Sequence, residues 1–340
     1  MFFNISIDAG GLCVDQGYGN YVFTINLLCA ISRYDRNNKY TAYTFCGSKP
    51  FQKKRLSYKV LPKSGFMKLR VSWEELTQRQ DVFLGLNQAL PFFSRGKMFA
   101  FSHGLSFLRY PGFYKKDFER LKIQLHVYLS KSGKIITTSE KVKDELINFA
   151  PASKNRIVAL LPGIPYDFET YSERKRKKYL LFVGMNHRIK NVNKLVKCFQ
   201  KLIRKNEYAN FKLYLVGPFN RFQSETILVF PTITRQKLKV LYQEAALYVC
   251  MSHYESFNFP ILEALSQRCP VVALKSAVIS EMKKFVHVVN NEQEFIEFGI
   301  TKTVNQVRVD YGGEVDVDEL KKTFSWKSYI TKLMKLYHEL

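Results

Sequence analysis

The chain has 340 residues, more than one ordinary hydrophobic core serves, so two domains are expected. Apolar residues are 46% of it and aromatics 15%, which excludes a disordered chain. Lys and Arg number 53 against 29 Asp and Glu, and the resulting +24 exceeds what solubility asks for; it predicts an anionic partner, whether nucleic acid, a membrane surface or a phosphorylated small molecule.

Strand-like runs, rich in β-branched and aromatic residues and bounded by Gly, Pro, Ser or His, occur at 2–8, 39–47, 97–103, 134–139 and 156–163. A second series lies at 178–184, 211–217, 227–231, 247–252 and 270–274. Helical patterns separate them. Residues 21–34 place Val22, Ile25, Leu28 and Cys29 on one face; residues 191–205 do the same with Leu195, Val196, Phe199, Leu202 and Ile203. Tyr329, Leu333, Leu336 and Tyr337 form one stripe of a closing helix. Alternating strand and helix predicts an α/β protein with parallel sheets. Between the two series, residues 163–178 lack apolar periodicity and read as a linker, its basic run Arg174–Lys178 as a solvated hinge.

The six cysteines (Cys13, Cys29, Cys46, Cys198, Cys250, Cys269) stand singly, mostly in apolar stretches, so buried reduced thiols are expected, with neither a disulfide framework nor a zinc site. The opening MFFNISIDAGG has no basic n-region or continuous apolar run, and no stretch reaches the ~18 apolar residues of a membrane span. A cytoplasmic protein is the expectation, with attachment to a membrane surface left open. The histidines show no HExxH-like ligand spacing, so no metal is expected.

The sharpest motif is HYESFNFPILEAL, 253–265. Pro260 suits a helix start, where its missing N–H has no partner to lose. Glu255 lies in the preceding loop and Glu263 in the expected first turn, so two carboxylates flank unpaired helix amides. Amides take oxyanions and carboxylates take hydroxyls, a combination matching a sugar joined to a diphosphate. Alone, the same residues would equally make a capped helix with a surface Glu pair. After the strand at 178–184, Lys190 with Arg188 could stabilise a diphosphate leaving group. Gly17 and Gly19, after the first strand, let backbone approach a ligand, although the third glycine of a dinucleotide fingerprint is absent. His103 ends a strand and abuts Gly104.

Taken in order, these segments resemble the retaining, family 4 glycosyltransferases of GT-B fold. SxYESFNFPILEAL resembles their Glu–seven–Glu motif, usually Y-E-G-F-G-x-P-x-L-E-A; GYGNY (17–21) resembles their early glycine loop; WEEL (73–76) and DVFLGLNQALPF (81–92) resemble the run before their His motif. HGLSFLRYP (103–111) resembles His-Asp-Leu-Ser-Phe-x-x-x-Pro, with Gly104 in place of Asp. KIITTSEKVKDEL resembles the following strand–Ser–helix, and FVGMNHRIKN the Gly–Arg/Lys–Asn motif, with Ile189 where the Arg usually stands.

The resemblance implies two Rossmann-like domains with parallel sheets facing across a cleft. An acceptor-side domain would cover 1–164, with helix 325–340 packing back on it, and a nucleotide-sugar domain 165–324. Glu255 would contact the sugar and steady the electron-poor transition state, Glu263 would take ribose hydroxyls, and Lys190 and Arg188 would hold the diphosphate. His103 would sit by the sugar's reacting carbon. Ser256, Phe257, Asn258 and Phe259 would orient the sugar through backbone amides, Gly17 and Gly19 would lie over the diphosphate, and the base would rest near Pro231 and Ile233. The implied reaction is hexosyl transfer with retention of configuration, without a cofactor or divalent metal. GDP-mannose leads as donor because the SFLRYP wording is closest to the mannosyltransferase branch, with UDP-glucose open. Acceptors are a glycan, a glycoprotein or a lipid-linked saccharide. A homodimer and peripheral contact with anionic membrane also stay open. Rival readings are a nucleotide-sugar epimerase or phosphorylase of the same fold, and a basic nucleic-acid binder. No RNP, zinc-finger or helix-turn-helix signature supports the last.

Overall fold

A computed structural model describes residues 2–14, 19–51, 53–300 and 316–339. The chain divides into two units, one of residues 1–163 with 325–340, the other of residues 164–324.

The first unit holds seven strands: β1 (Asn4–Asp8), β2 (Lys39–Thr44), β3 (Leu56–Val60), β4 (Val82–Gly85), β5 (Lys97–Ser102), β6 (Lys134–Thr137) and β7 (Ile157–Ala159). All pair in parallel, in the order β3-β2-β1-β4-β5-β6-β7. Helices α1 (Gly19–Tyr34), α2 (Ser72–Thr77), α3 (Ser106–Arg109), α4 (Phe118–Lys131) and α5 (Glu140–Phe149) connect them. All four residues of β4 are buried, as expected of a central parallel strand covered on both faces. The closing helix Trp326–Tyr337 lays its apolar stripe on α1, where Phe23 meets the rings of Trp326 and Tyr329.

The second unit holds β8 (Lys177–Val183), β9 (Lys212–Val216), β10 (Ile227–Phe230), β11 (Ala245–Cys250), β12 (Val271–Leu274) and β13 (His287–Val289), parallel throughout in the order β10-β9-β8-β11-β12-β13. Helices α6 (Val192–Leu202), α7 (Arg235–Glu244) and α8 (Phe259–Ser266) cover it. In α6 the expected stripe of Leu195, Val196, Phe199 and Leu202 is buried in one apolar cluster with the strands.

In each unit the strand order runs outward from the first strand in one direction and then reverses. That creates a topological switch point between β1 and β4 and another between β8 and β11, where open α/β sheets bind ligands at their carboxyl ends.

Two sequence expectations are corrected. Cys13 and Cys46 are not separate thiols but a disulfide, with Cα atoms 5.6 Å apart. They are 33 residues apart in sequence, which hid the pairing. Parallel pairing of β1 with β2 continues through the Ala9 N–H to the Tyr43 carbonyl (2.9 Å), so the two segments leave the sheet side by side. Cys29, Cys198, Cys250 and Cys269 are buried thiols. The run Arg174–Lys178 is solvated, four of its five residues being exposed, but it is no hinge, since it lies inside the second unit. Lys177 and Lys178 open β8, and Arg176 donates to the carbonyls of Tyr242, Gln243, Ala245 and Arg268. Its planar fork satisfies chain ends that would otherwise lack donors.

Candidate active site

The segments following β8 and β11 meet at the switch point of the second unit. The His253 N–H donates to the Ile189 carbonyl at 2.8 Å, fixing one loop to the other. Asn191, at φ 55°, turns the chain from Lys190 into α6, and Asn258, at φ 75°, turns it into α8. Asn tolerates this left-handed region better than most residues, which accounts for Asn258 where the resembled motif has glycine. Its amide donates to the Ala277 carbonyl at 3.1 Å and so locks the turn.

This arrangement brings Lys190 and Glu255 together. The ammonium donates to Glu255 Oε1 at 2.7 Å, with 17% and 11% of the side chains exposed. Sixty-five residues apart in sequence, they form a partly shielded ion pair at the carboxyl ends of adjacent strands. Arg188, in the same turn, is exposed. The glycine strand end beside them is tight: a Cβ on Gly217, at φ 134°, would lie 2.1 Å from the Gly184 carbonyl oxygen.

Glu263 stands elsewhere in this unit's chemistry. The helix begins at Phe259, one residue earlier than expected, so Glu263 falls in the second turn. It is 2% exposed, not part of a surface pair. Arg235 donates to Glu263 Oε1 at 2.7 Å, and the Tyr242 hydroxyl donates to Oε2 at 3.2 Å. Arg235 also donates to both oxygens of Asp167 and lies over the Phe168 ring. Burial pushes the Glu263 carboxyl above its ordinary range, with Arg235 pulling it back. Burial also opposes the Arg235 charge, but Glu263 and Asp167 outweigh it and hold the guanidinium's pKa high. Arg235, Asp167 and Tyr242 escaped the sequence reading, because an Arg in the first turn after a Thr cap looks like any solvated helix start.

The other expected donor contacts lie at the same sheet edge or just beyond it. Ser256 is half-buried, while the rings of Phe257 and Phe259 pack edge-on, 4.9 Å apart, in the unit's interior; only backbone of this pair could meet a ligand. Pro231 and Ile233 follow the end of β10, Pro231 exposed and Ile233 half-buried.

In the first unit, His103 follows β5 and its Nε2–H donates to the Leu86 carbonyl, just past β4, at 2.6 Å. Phe23 packs edge-on against the ring. Gly104 has φ 106°, a conformation a side chain resists, which accounts for glycine where the resembled motif has Asp. Asp8, at the end of β1, is buried and accepts from the Gly10 N–H and the Asn87 amide. Gly19 opens α1, and Gly17 lies outside the described residues. Among the described residues no group of three or more His, Cys, Asp or Glu is placed to hold a metal ion, and no helix is long and apolar enough to cross a membrane.

Burial holds the His103 imidazole below its ordinary pKa of 6.5, the Leu86 bond working the other way. Between the lowered folded value and 6.5 the unfolded chain carries a proton that the folded chain lacks, so this residue makes stability rise with pH in that window. His103→Gln is expected to flatten that slope in urea melts taken from pH 5 to 7.

Comparison with known proteins gives the following likenesses. Residues 177–298 match the family model described as glycosyl transferases group 1. The fold is that of the GT-B glycosyltransferases. An uncharacterised glycosyltransferase of Methanocaldococcus jannaschii is 24% identical over 271 residues, 69% of this chain and 67% of that one. The O-antigen chain mannosyltransferase B of Escherichia coli is 23% identical over 298 residues, 79% of this chain and 77% of that one. The crystal structure of Anabaena Alr3699/HepE in complex with UDP-glucose superposes with a TM-score of 0.73 at 12% identity, covering 99% of this chain and 100% of that one. The family match lies in the unit that carries Lys190 and Glu255, and a glycosyltransferase is the coarse function these likenesses support.

Proposed function

We propose that the protein is a retaining glycosyltransferase of the family 4 kind, moving a hexose from a nucleotide diphosphate sugar to an acceptor hydroxyl without a metal ion. The observation that carries this is the Lys190–Glu255 pair at the switch point of the second unit. Without donor, each charge neutralises the other. An arriving diphosphate competes with Glu255 for the ammonium, and the carboxylate is released toward the sugar. Lys190, helped by Arg188 and the positive N-terminal end of α6, then stabilises charge on the departing phosphate. Glu255 offsets positive charge growing at the anomeric carbon. The leaving phosphate accepts the acceptor's proton as the new bond forms on the same face, which preserves configuration.

Glu263, although nearly enclosed, keeps lone pairs beyond those used by Arg235 and Tyr242, and by motif resemblance these take ribose hydroxyls. The amides of Ser256 to Phe259 orient the sugar, and the base lies by Pro231 and Ile233. By motif resemblance, the first unit serves the acceptor, His103 contacts the transferred sugar, and the glycine loop of Gly17 and Gly19 covers the diphosphate. GDP-mannose leads as donor, on the SFLRYP wording and the likeness to a mannosyltransferase; the UDP-glucose complex of a structural neighbour keeps that donor in the comparison. The acceptor is a glycan, a glycoprotein or a lipid-linked saccharide.

Calorimetry in EDTA with GDP-mannose, UDP-glucose and the free nucleoside diphosphates tests the reading. One sugar nucleotide is expected to bind, and Lys190→Ala to weaken it about 10- to 100-fold, the worth of one charge-assisted hydrogen bond. Unchanged affinity in the variant removes Lys190 from the diphosphate site.

A further inference from the structure

The first unit gathers several exposed large apolar side chains at one place, the kind of patch that marks an interaction surface. A π-helical stretch, Phe66–Val71, runs directly into α2. Along this run Leu69, Trp73 and Leu76 are spaced four and three residues apart, and are 63%, 66% and 37% exposed. Phe92 and Phe93, 44% and 61% exposed, stand next to them. The Phe92 N–H donates to Ser72 Oγ at 2.8 Å, and the Lys68 ammonium lies 5.6 Å from the centre of the Phe92 ring. Two segments distant in sequence thus present one apolar face.

The charges around that face are sorted by sign. Glu74 and Glu75, the two acids of the run, are turned inward, at 8% and 0% exposure. Glu74 meets Lys59, and Glu75 accepts from Tyr43 and Ser94. Lys63, Lys68, Arg70 and Lys131 are exposed. Within these two segments, the charged side chains that reach solvent beside the aromatic and aliphatic ones are therefore all cationic.

We propose that this face seats the protein on an anionic lipid surface, with Trp73, Leu69 and Phe93 entering the headgroup layer and the cations meeting lipid phosphates. Long Lys and Arg stems reach outward while aromatic bodies sink in, and each cation near such a surface adds to the binding. A second copy of the chain fits less well, since it would bring another +24 to a face already basic. The inference concerns where the protein works and holds whether or not the proposed transfer does.

The test mixes the full chain with vesicles of phosphatidylcholine alone, or of phosphatidylcholine and phosphatidylglycerol in equal parts, and follows flotation and tryptophan emission. Of the two tryptophans, Trp326 is buried, so a blue shift reports Trp73. Binding to the anionic vesicles is expected to be at least about tenfold tighter, with a blue shift, and the triple variant Leu69→Ser, Trp73→Ser, Phe93→Ser to lose about tenfold or more of it while melting at the parental temperature. Lys68→Glu with Arg70→Glu is expected to weaken anionic binding and leave the phosphatidylcholine background unchanged. Anionic binding that the triple variant retains would assign it to overall charge and overturn the proposal. So would absence of vesicle binding, or self-association in vesicle-free buffer that the triple variant abolishes.

Discussion

Glu255→Gln is expected to lower sugar transfer by about 10³-fold or more while leaving the fold intact. The substitution keeps the side chain's shape and removes its charge. A carboxylate that faces a developing cation in a water-poor site contributes far more than the same group in bulk solvent, so the loss falls on turnover and not on donor affinity. Affinity has reason to rise slightly, because Lys190 no longer has an anion to leave when diphosphate arrives. The readout is nucleoside diphosphate released per enzyme, with the melting temperature as control for the fold and NMR of the product for anomeric configuration. Turnover within about tenfold of the parent would remove Glu255 from the reaction.

The largest expected change in stability comes from Arg235→Ala. Glu263 is almost wholly enclosed, and Arg235 is the cation that holds its charge there. Breaking one side of a buried pair costs about 3–5 kcal/mol, because the abandoned charge stays desolvated. That corresponds to a fall in Tm on the order of 10 °C. The penalty has a pH signature. Without Arg235 the folded Glu263 carboxyl titrates still further above its unfolded value, so the folded state binds the proton more tightly. Stability is then lost as pH rises from the ordinary carboxylate range through the raised folded pKa, and the variant approaches the parent in acid. Adding Glu263→Gln to Arg235→Ala should recover part of the loss near neutral pH; a melt insensitive to pH and to that second change would show that the two side chains are not coupled.

The contrast between these two acids marks how far sequence carries. The Glu255 loop was legible because its partner, Lys190, belongs to a second motif whose place after a strand is also readable, and β8 and β11 are long apolar runs. The order of strands then makes the two loops neighbours. Glu263 was legible as a residue type but not in its surroundings. Its distance from the helix start depended on one residue of boundary, and its cation comes from α7, which carries no motif. The strands β3, β4 and β13 went unread for a different reason. β3 mixes polar with apolar residues, while the four residues of β4 and the three of β13 are too few to show a pattern, and all three take their conformation from the neighbours they pair with. The Cys13–Cys46 bond is a similar case: only the parallel register of β1 and β2 makes those positions adjacent.

The contact between Gly184 and Gly217 bears on redesign. Both lie where β8 and β9 end, and the backbones there touch so closely that not even a methyl group fits on Gly217. Any larger residue must prise the strand ends apart. For the donor site proposed above, these strand ends leave little freedom for redesign, and mutant libraries would be better spent at Pro231 and Ile233, which are exposed and half-buried and can change without moving the sheet.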